Sequence, residues 1–235
     1  NAGYTGIDIA LWTLNFDLWD EEYIFDLSKE FKMPVLSLTA PGKWMSKKKL
    51  EKIMIIAKKL SVQLVTVSPP HITDKDTKWF GASLAHIKRD THISICIQNV
   101  EPKFLFFVIP EYRNATFTQI KTVTGDTTLD ILWVDSSSSM DILKAQAMLW
   151  KSIKNIFFSD KKGMKRWILP GWAGGGISHL PLESFLMKLK STGYGWYITL
   201  KVHPSEIWVW NAERVEQNLE YMRWYYEKHF ANFKN

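Results

Sequence analysis

Apolar positions in this chain fall into short blocks whose period switches between two and about 3.6. The block 197–202 reads Tyr-Ile-Thr-Leu-Lys-Val and is stopped by Pro204, the composition and punctuation of a buried strand. Alternation puts Trp196, Ile198, Leu200 and Val202 on one side, and Tyr197, Thr199 and Lys201 on the other. The apolar side suits cover by helices. The other side must face something polar, so Lys201 is the residue that needs an explanation. Upstream, Phe185, Leu186 and Leu189 recur at helical spacing and run into Gly193, a natural helix-ending residue with φ > 0. The chain opens in the same way, with Gly3-Tyr4, a short turn and a strand over 5–11.

Read in order, the pattern predicts strands over 5–11, 34–39, 62–67, 93–98, 129–135, 153–158 and 197–202. Helices are expected over 21–31, 46–60, 79–88, 116–123, 140–152 and 212–230, with one more starting at Pro181. Residues 104–108 fit either class, and 161–179 reads as a long Gly- and Trp-rich loop. Seven βα units at spacings of roughly 30 residues imply parallel strands with right-handed crossovers, in an open sheet or a barrel. No Gly-x-Gly-x-x-Gly follows the first strand. Gly174-Gly175-Gly176 is not followed by Lys-Ser/Thr, so neither a dinucleotide fold nor a P-loop is indicated.

Composition narrows this further. With 235 residues and 46% hydrophobic content, the chain suits a single domain over 1–235. No apolar run reaches the ~18 residues of a membrane span, and no signal peptide opens the sequence, so no membrane partner is expected and the cytoplasm is the expected location. Cys96 is the only cysteine, which excludes an internal disulfide and a Cys-built zinc site. The net charge of +6 is spread over short runs such as Lys47-Lys48-Lys49 rather than a stripe, so a nucleic-acid partner is not expected.

Four stretches together resemble the xylose-isomerase-like TIM barrels, the superfamily of sugar isomerases and epimerases that includes endonuclease IV. They are Gly3-Tyr4-Thr5-Gly6-Ile7-Asp8, Ile97-Gln98-Asn99, Val134-Asp135, and the span from Gly174-Gly175-Gly176 to Tyr197-Ile198-Thr199-Leu200-Lys201. The resemblance implies a TIM (β/α) barrel. By its register the first strand and helix would precede Asn1, which leaves the barrel open on one side and free to pair with a second copy of the chain.

The family's chemistry uses a divalent metal held by two Glu, an Asp and a His at strand ends. Carried over by position, the first Glu falls on Gln98, the Asp on Asp135, the His near Phe157 and the last Glu on Lys201. A His often found three residues after the Asp falls on Ser138. A fixed cation at Lys201 would repel a metal by ~4 kcal/mol per unit charge at ~4 Å and an effective dielectric near 20. The expectation is therefore no metal and no other cofactor, with Lys201 and Asp135 paired as the reactive groups. Gln98, Asp160, His71, His203, Trp12 and Trp172 are the candidate contacts for a sugar-like or small polar ligand, since aromatic faces suit the C–H faces of sugars. Asp8, at a Glu-like position, is read as a structural hydrogen-bonding group. Two functions follow: a degenerate isomerase- or epimerase-like barrel that binds its ligand without metal, or an active isomerase, epimerase or lyase using Lys201 and Asp135 as rearranged acid and base groups.

Overall fold

The structure is a computed structural model that describes residues 2–11, 21–43, 45–74, 77, 79–134, 141–171 and 180–232. Its elements follow the predicted alternation. They are β1 (Ile7–Ala10), α1 (Glu21–Glu30), β2 (Val35–Thr39), α2 (Lys47–Lys59), β3 (Leu64–Val67), α3 (Trp79–Thr91) and β4 (Ser94–Gln98). After the short strands β5 (Phe104–Leu105) and β6 (Ile109–Pro110) come α4 (Phe117–Thr124), β7 (Thr127–Asp130), α5 (Ile142–Leu149) and β8 (Ile153–Phe158). A hairpin of β9 (Asp160–Lys162) and β10 (Lys165–Ile168) precedes α6 (Leu182–Ser191), β11 (Tyr197–Leu200) and α7 (Ala212–Tyr226).

Seven strands form one parallel sheet in the order β1-β2-β3-β4-β7-β8-β11. The remaining strands form two separate hairpins, β5 with β6 and β9 with β10. By contact the chain divides into one unit of Thr5–Leu129 and Met148–Asn155, and another of Asn1–Tyr4, Asp130–Ala147 and Ile156–Asn235.

The first unit is built on strands buried on both faces. All four residues of β3 are buried, as expected where helices cover a parallel sheet. Leu50, Ile53 and Ala57 of α2 share that core, and the helix starts at Ser46, whose side chain accepts from the Lys49 amide. The Gly-Tyr-x-Gly opening has a steric reason. A Cβ on Gly6 would lie 2.6 Å from the Pro34 carbonyl oxygen, so β1 can approach the start of β2 only with glycine there. Gly6→Ala is expected to cost about 1–3 kcal/mol, because the obstructing atom is backbone; urea unfolding of the two proteins measures it.

In the second unit Leu182, Phe185, Leu186 and Leu189 of α6 are fully buried, and Gly193 ends the helix at φ 72° as the sequence indicates. The Gly193 amide donates to Lys190 O and the Tyr194 amide to Leu189 O, which satisfies two carbonyls of the last turn. Trp196, on the side of its strand that the alternation marks as apolar, is instead about half exposed, as is Trp224 of α7.

Two stretches differ from the sequence reading, and a third that it left open is assigned. The fifth strand of the sheet, β7, ends at Asp130, not Asp135. The Asp130 Oδ1 accepts from the Leu132 amide at 3.1 Å and turns Ile131–Trp133 into a 3-10 helix, so a local side-chain bond overrides the strand propensity of the apolar run. Residues 161–179 are not all loop, since β9 and β10 pair within them. Residues 104–108 belong to the β5–β6 hairpin. No helix among the described residues is long and apolar enough to cross a membrane.

Candidate functional site

Lys201 is the first residue beyond β11. Its amide donates to Phe158 O at 3.0 Å, which fixes the end of β11 against the end of β8. From there the side chain reaches Asp130 at the end of β7, with Nζ donating to Oδ2 at 2.8 Å. Asp130 is 0% exposed and the Lys201 side chain 19%, so this ion pair is largely desolvated. The ammonium also lies over the Phe157 ring, 4.3 Å from its centroid, an aromatic face that attracts a cation. Phe157 is itself buried and projects from β8.

Lys201 therefore has the acidic partner that burial demands, but the acid is Asp130. Asp135 lies outside the described residues. Two hydrophobic-Asp pairs five residues apart, Leu129-Asp130 and Val134-Asp135, compete for the same register in the sequence. The strand ends at the first. With that register the position three after the acid is Trp133 rather than Ser138. Trp133 packs edge-on against Trp167 at 5.5 Å, and the Arg166 guanidinium lies 4.8 Å from its ring centroid. Asp130 is thus the part of this constellation that the sequence reading missed. An Asp able to form a local turn, within an apolar run, was the available signal.

Other candidates have separate settings. His203 is exposed, its amide bonded to Trp167 O and its Nδ1 2.7 Å from the Ser205 hydroxyl. Asp160 is fully buried at the start of β9 and accepts from the Lys161 amide at 2.8 Å. Trp12 and Trp172 lie outside the described residues.

In the first unit Gln98 ends β4, and its Nε2 donates to Ser68 Oγ, just beyond β3, at 2.6 Å. The Gln98 Oε1 is buried and has no hydrogen-bond partner among the described residues. Asp8 accepts from the hydroxyls of Ser37 and Thr39 on the neighbouring strand, at 2.5 and 2.9 Å, the structural part that its position suggested.

His71 is buried with both ring nitrogens engaged. The Thr73 amide donates to Nδ1 at 3.2 Å, so Nε2 carries the proton and donates to Glu111 Oε1 at 2.9 Å. Lys43 bonds the same carboxylate oxygen at 2.5 Å. These two donors, Lys43 foremost, hold the Glu111 carboxyl below its ordinary pKa. A lowered folded-state pKa contributes stability that is present above the unfolded value, about 4.3, and is lost as pH falls below it. The melting temperature should therefore drop more steeply below about pH 4.3 in the parent protein than in Glu111→Gln; calorimetry from about pH 3.3 to about pH 5.3, one unit either side of that value, checks it.

The resemblance implies a divalent cation at these strand ends. Of the Asp130 oxygens, one accepts from Lys201 and the other from the Leu132 amide. Phe157 has no donor atom, and Lys201 brings positive charge. Asp130, Phe157 and Lys201 do not fit a divalent cation, and the described residues contain no group of three His, Cys, Asp or Glu able to hold one.

No family model matches the sequence, and no curated protein matches it. Solved structures do match. The chain is similar to an IolI protein with a bound zinc atom, at TM-score 0.66 and 17% identity, over 97% of this chain and 90% of that one. It is similar to an L-ribulose 3-epimerase at TM-score 0.62 and 13% identity, over 100% and 90%. A family 2 AP endonuclease from Brucella melitensis matches at TM-score 0.61 and 14% identity, over 95% and 89%. These likenesses show the fold, a TIM barrel of parallel strands with helices between them.

Proposed function

We propose that this chain is a degenerate sugar isomerase- or epimerase-like barrel that binds a sugar-like or other small polar ligand without a divalent metal. The observation that carries this reading is the desolvated Lys201–Asp130 ion pair, 2.8 Å long and backed by the Phe157 ring. It puts a cation where the family's register puts a carboxylate ligand, and it already neutralises the neighbouring acid. A hydroxyl-bearing ligand suits such a pair, since it accepts from the ammonium and donates to the carboxylate. Trp133, three residues after Asp130 in the chain, offers the kind of apolar face that sugar C–H groups favour.

Calorimetric titration with a panel of aldoses, ketoses and their phosphates, with and without Mn²⁺, tests the proposal. Ligand binding unchanged by Mn²⁺ is expected. Tight stoichiometric binding of Mn²⁺ by the unmodified protein overturns it.

The second reading is an active isomerase, epimerase or lyase, and the burial of the Lys201 side chain, only 19% exposed, favours it. A lysine shielded from water can serve as a base or form a Schiff base with a carbonyl substrate. Asp130 would then be its acid partner, in the place that the sequence assigned to Asp135. Solvent-isotope exchange into the sugar panel separates the two readings, because only the active protein exchanges a carbon-bound proton. Borohydride trapping of a Lys201 adduct identifies the Schiff-base route.

A further inference from the structure

The β5–β6 hairpin carries six consecutive apolar residues, Phe104-Leu105-Phe106-Phe107-Val108-Ile109, and every one is at least 40% exposed. At the tip Phe106 is 86% and Phe107 98% exposed. The Val108 amide donates to Leu105 O, and both central residues have positive φ, 50° and 62°. That is the turn geometry which Asn-Gly normally supplies; Phe-Phe adopts it against steric preference. Successive strand residues point to opposite faces, so the exposed apolar surface surrounds the hairpin.

The base, in contrast, is fixed. Tyr112 bridges to His71, the Ile72 amide donates to Glu111 O, and the Arg113 amide donates to Pro70 O. The His71–Glu111–Lys43 cluster lies at this base. Its charge is uneven in exposure. The acids Glu111 and Glu101 are paired with Lys43 and Lys103 and are only 12% and 20% exposed, whereas those lysines are 44% and 56% exposed. Arg113 is also exposed. Three basic side chains against two acidic ones thus lie at the foot of an all-apolar tip, with the basic ones the more exposed.

We infer that this hairpin inserts into the surface of an anionic lipid bilayer, with Phe106 and Phe107 among the acyl chains and Lys43, Lys103 and Arg113 at the headgroups. A protein groove would cover one face of the hairpin and leave the other wet; a bilayer receives the tip from all sides. These basic side chains match the negative potential of anionic headgroups, which attracts basic residues within a Debye length. The sequence expectation of no membrane partner rested on the absence of a spanning run, and a surface-inserting tip needs none. The inference is independent of the ligand reading.

The test is co-sedimentation of the full chain with phosphatidylcholine vesicles, with or without one third phosphatidylglycerol. The parent protein is expected to bind the anionic vesicles, more weakly in high salt. Phe106→Asn/Phe107→Gly retains a favourable turn, so it should melt at or above the parent's temperature while its vesicle partitioning falls at least about tenfold. Lys103→Glu/Arg113→Glu should weaken binding to anionic vesicles with the tip intact. Absence of parent binding, or equal binding by the folded Asn-Gly variant, overturns the inference. So does tip-dependent self-association seen by light scattering without lipid, which would assign the hairpin to a second copy of the chain.

Discussion

Lys201→Ala is expected to destabilise the protein by ~3–5 kcal/mol, because it leaves the fully buried Asp130 carboxylate without its cation. At about 2–4 °C per kcal/mol for a chain of this size, the melting temperature should fall by roughly 6–20 °C. The loss belongs to the stranded charge rather than to the net worth of the pair. Replacing both partners, as in Lys201→Met/Asp130→Leu, should therefore recover most of it. Thermal unfolding of Lys201→Met, Asp130→Leu and the double variant forms the cycle. Equal loss in the double variant and in Lys201→Met would show that the pair's geometry is not what holds this corner together. Lys201→Glu asks a different question, since it brings a second carboxylate toward Asp130 and removes the repelling cation. Measurable but weak Mn²⁺ affinity is expected, because Phe157 supplies no further ligand.

Phe157→Ala should be comparably severe, at about 3–5 kcal/mol, from lost burial and the cavity left beneath Lys201. Phe157 is 1% exposed and among the largest fully buried side chains. Phe157→Leu keeps most of the volume but removes the aromatic face under the ammonium, so it should cost less. The two substitutions separate packing from the cation–ring contact in a denaturation series. Combined with Lys201→Glu, Phe157→His adds an imidazole at the position where the family's register expects one. Mn²⁺ should then bind more tightly than to Lys201→Glu alone, and calorimetry reads the difference directly.

The sequence by itself determined the class of fold. Alternating periods of two and 3.6, capped by Ser46 and Gly193 and stopped by Pro204, specify the seven βα units because the signals are local and agree with one another. It also singled out Lys201, since a lysine on the polar side of a buried-type strand must find a partner. What it could not determine was which carboxylate answers. Leu129-Asp130 and Val134-Asp135 are equivalent as dipeptides. The choice between them depends on a turn that Asp130 makes with the Leu132 amide and on the reach of a side chain 71 residues away. The same holds for His71. Its neighbours in sequence suggest a polar loop, while Glu111, 40 residues on, makes it a buried clamp. Residues 104–108 were ambiguous because a short apolar run has no period long enough to read, and only the tertiary bridge at His71 and Tyr112 sets it out as an exposed hairpin. Local patterns record what each segment becomes; long-range pairing decides which charges meet, because that choice is made by the packing of elements and leaves no trace in the spacing of either partner.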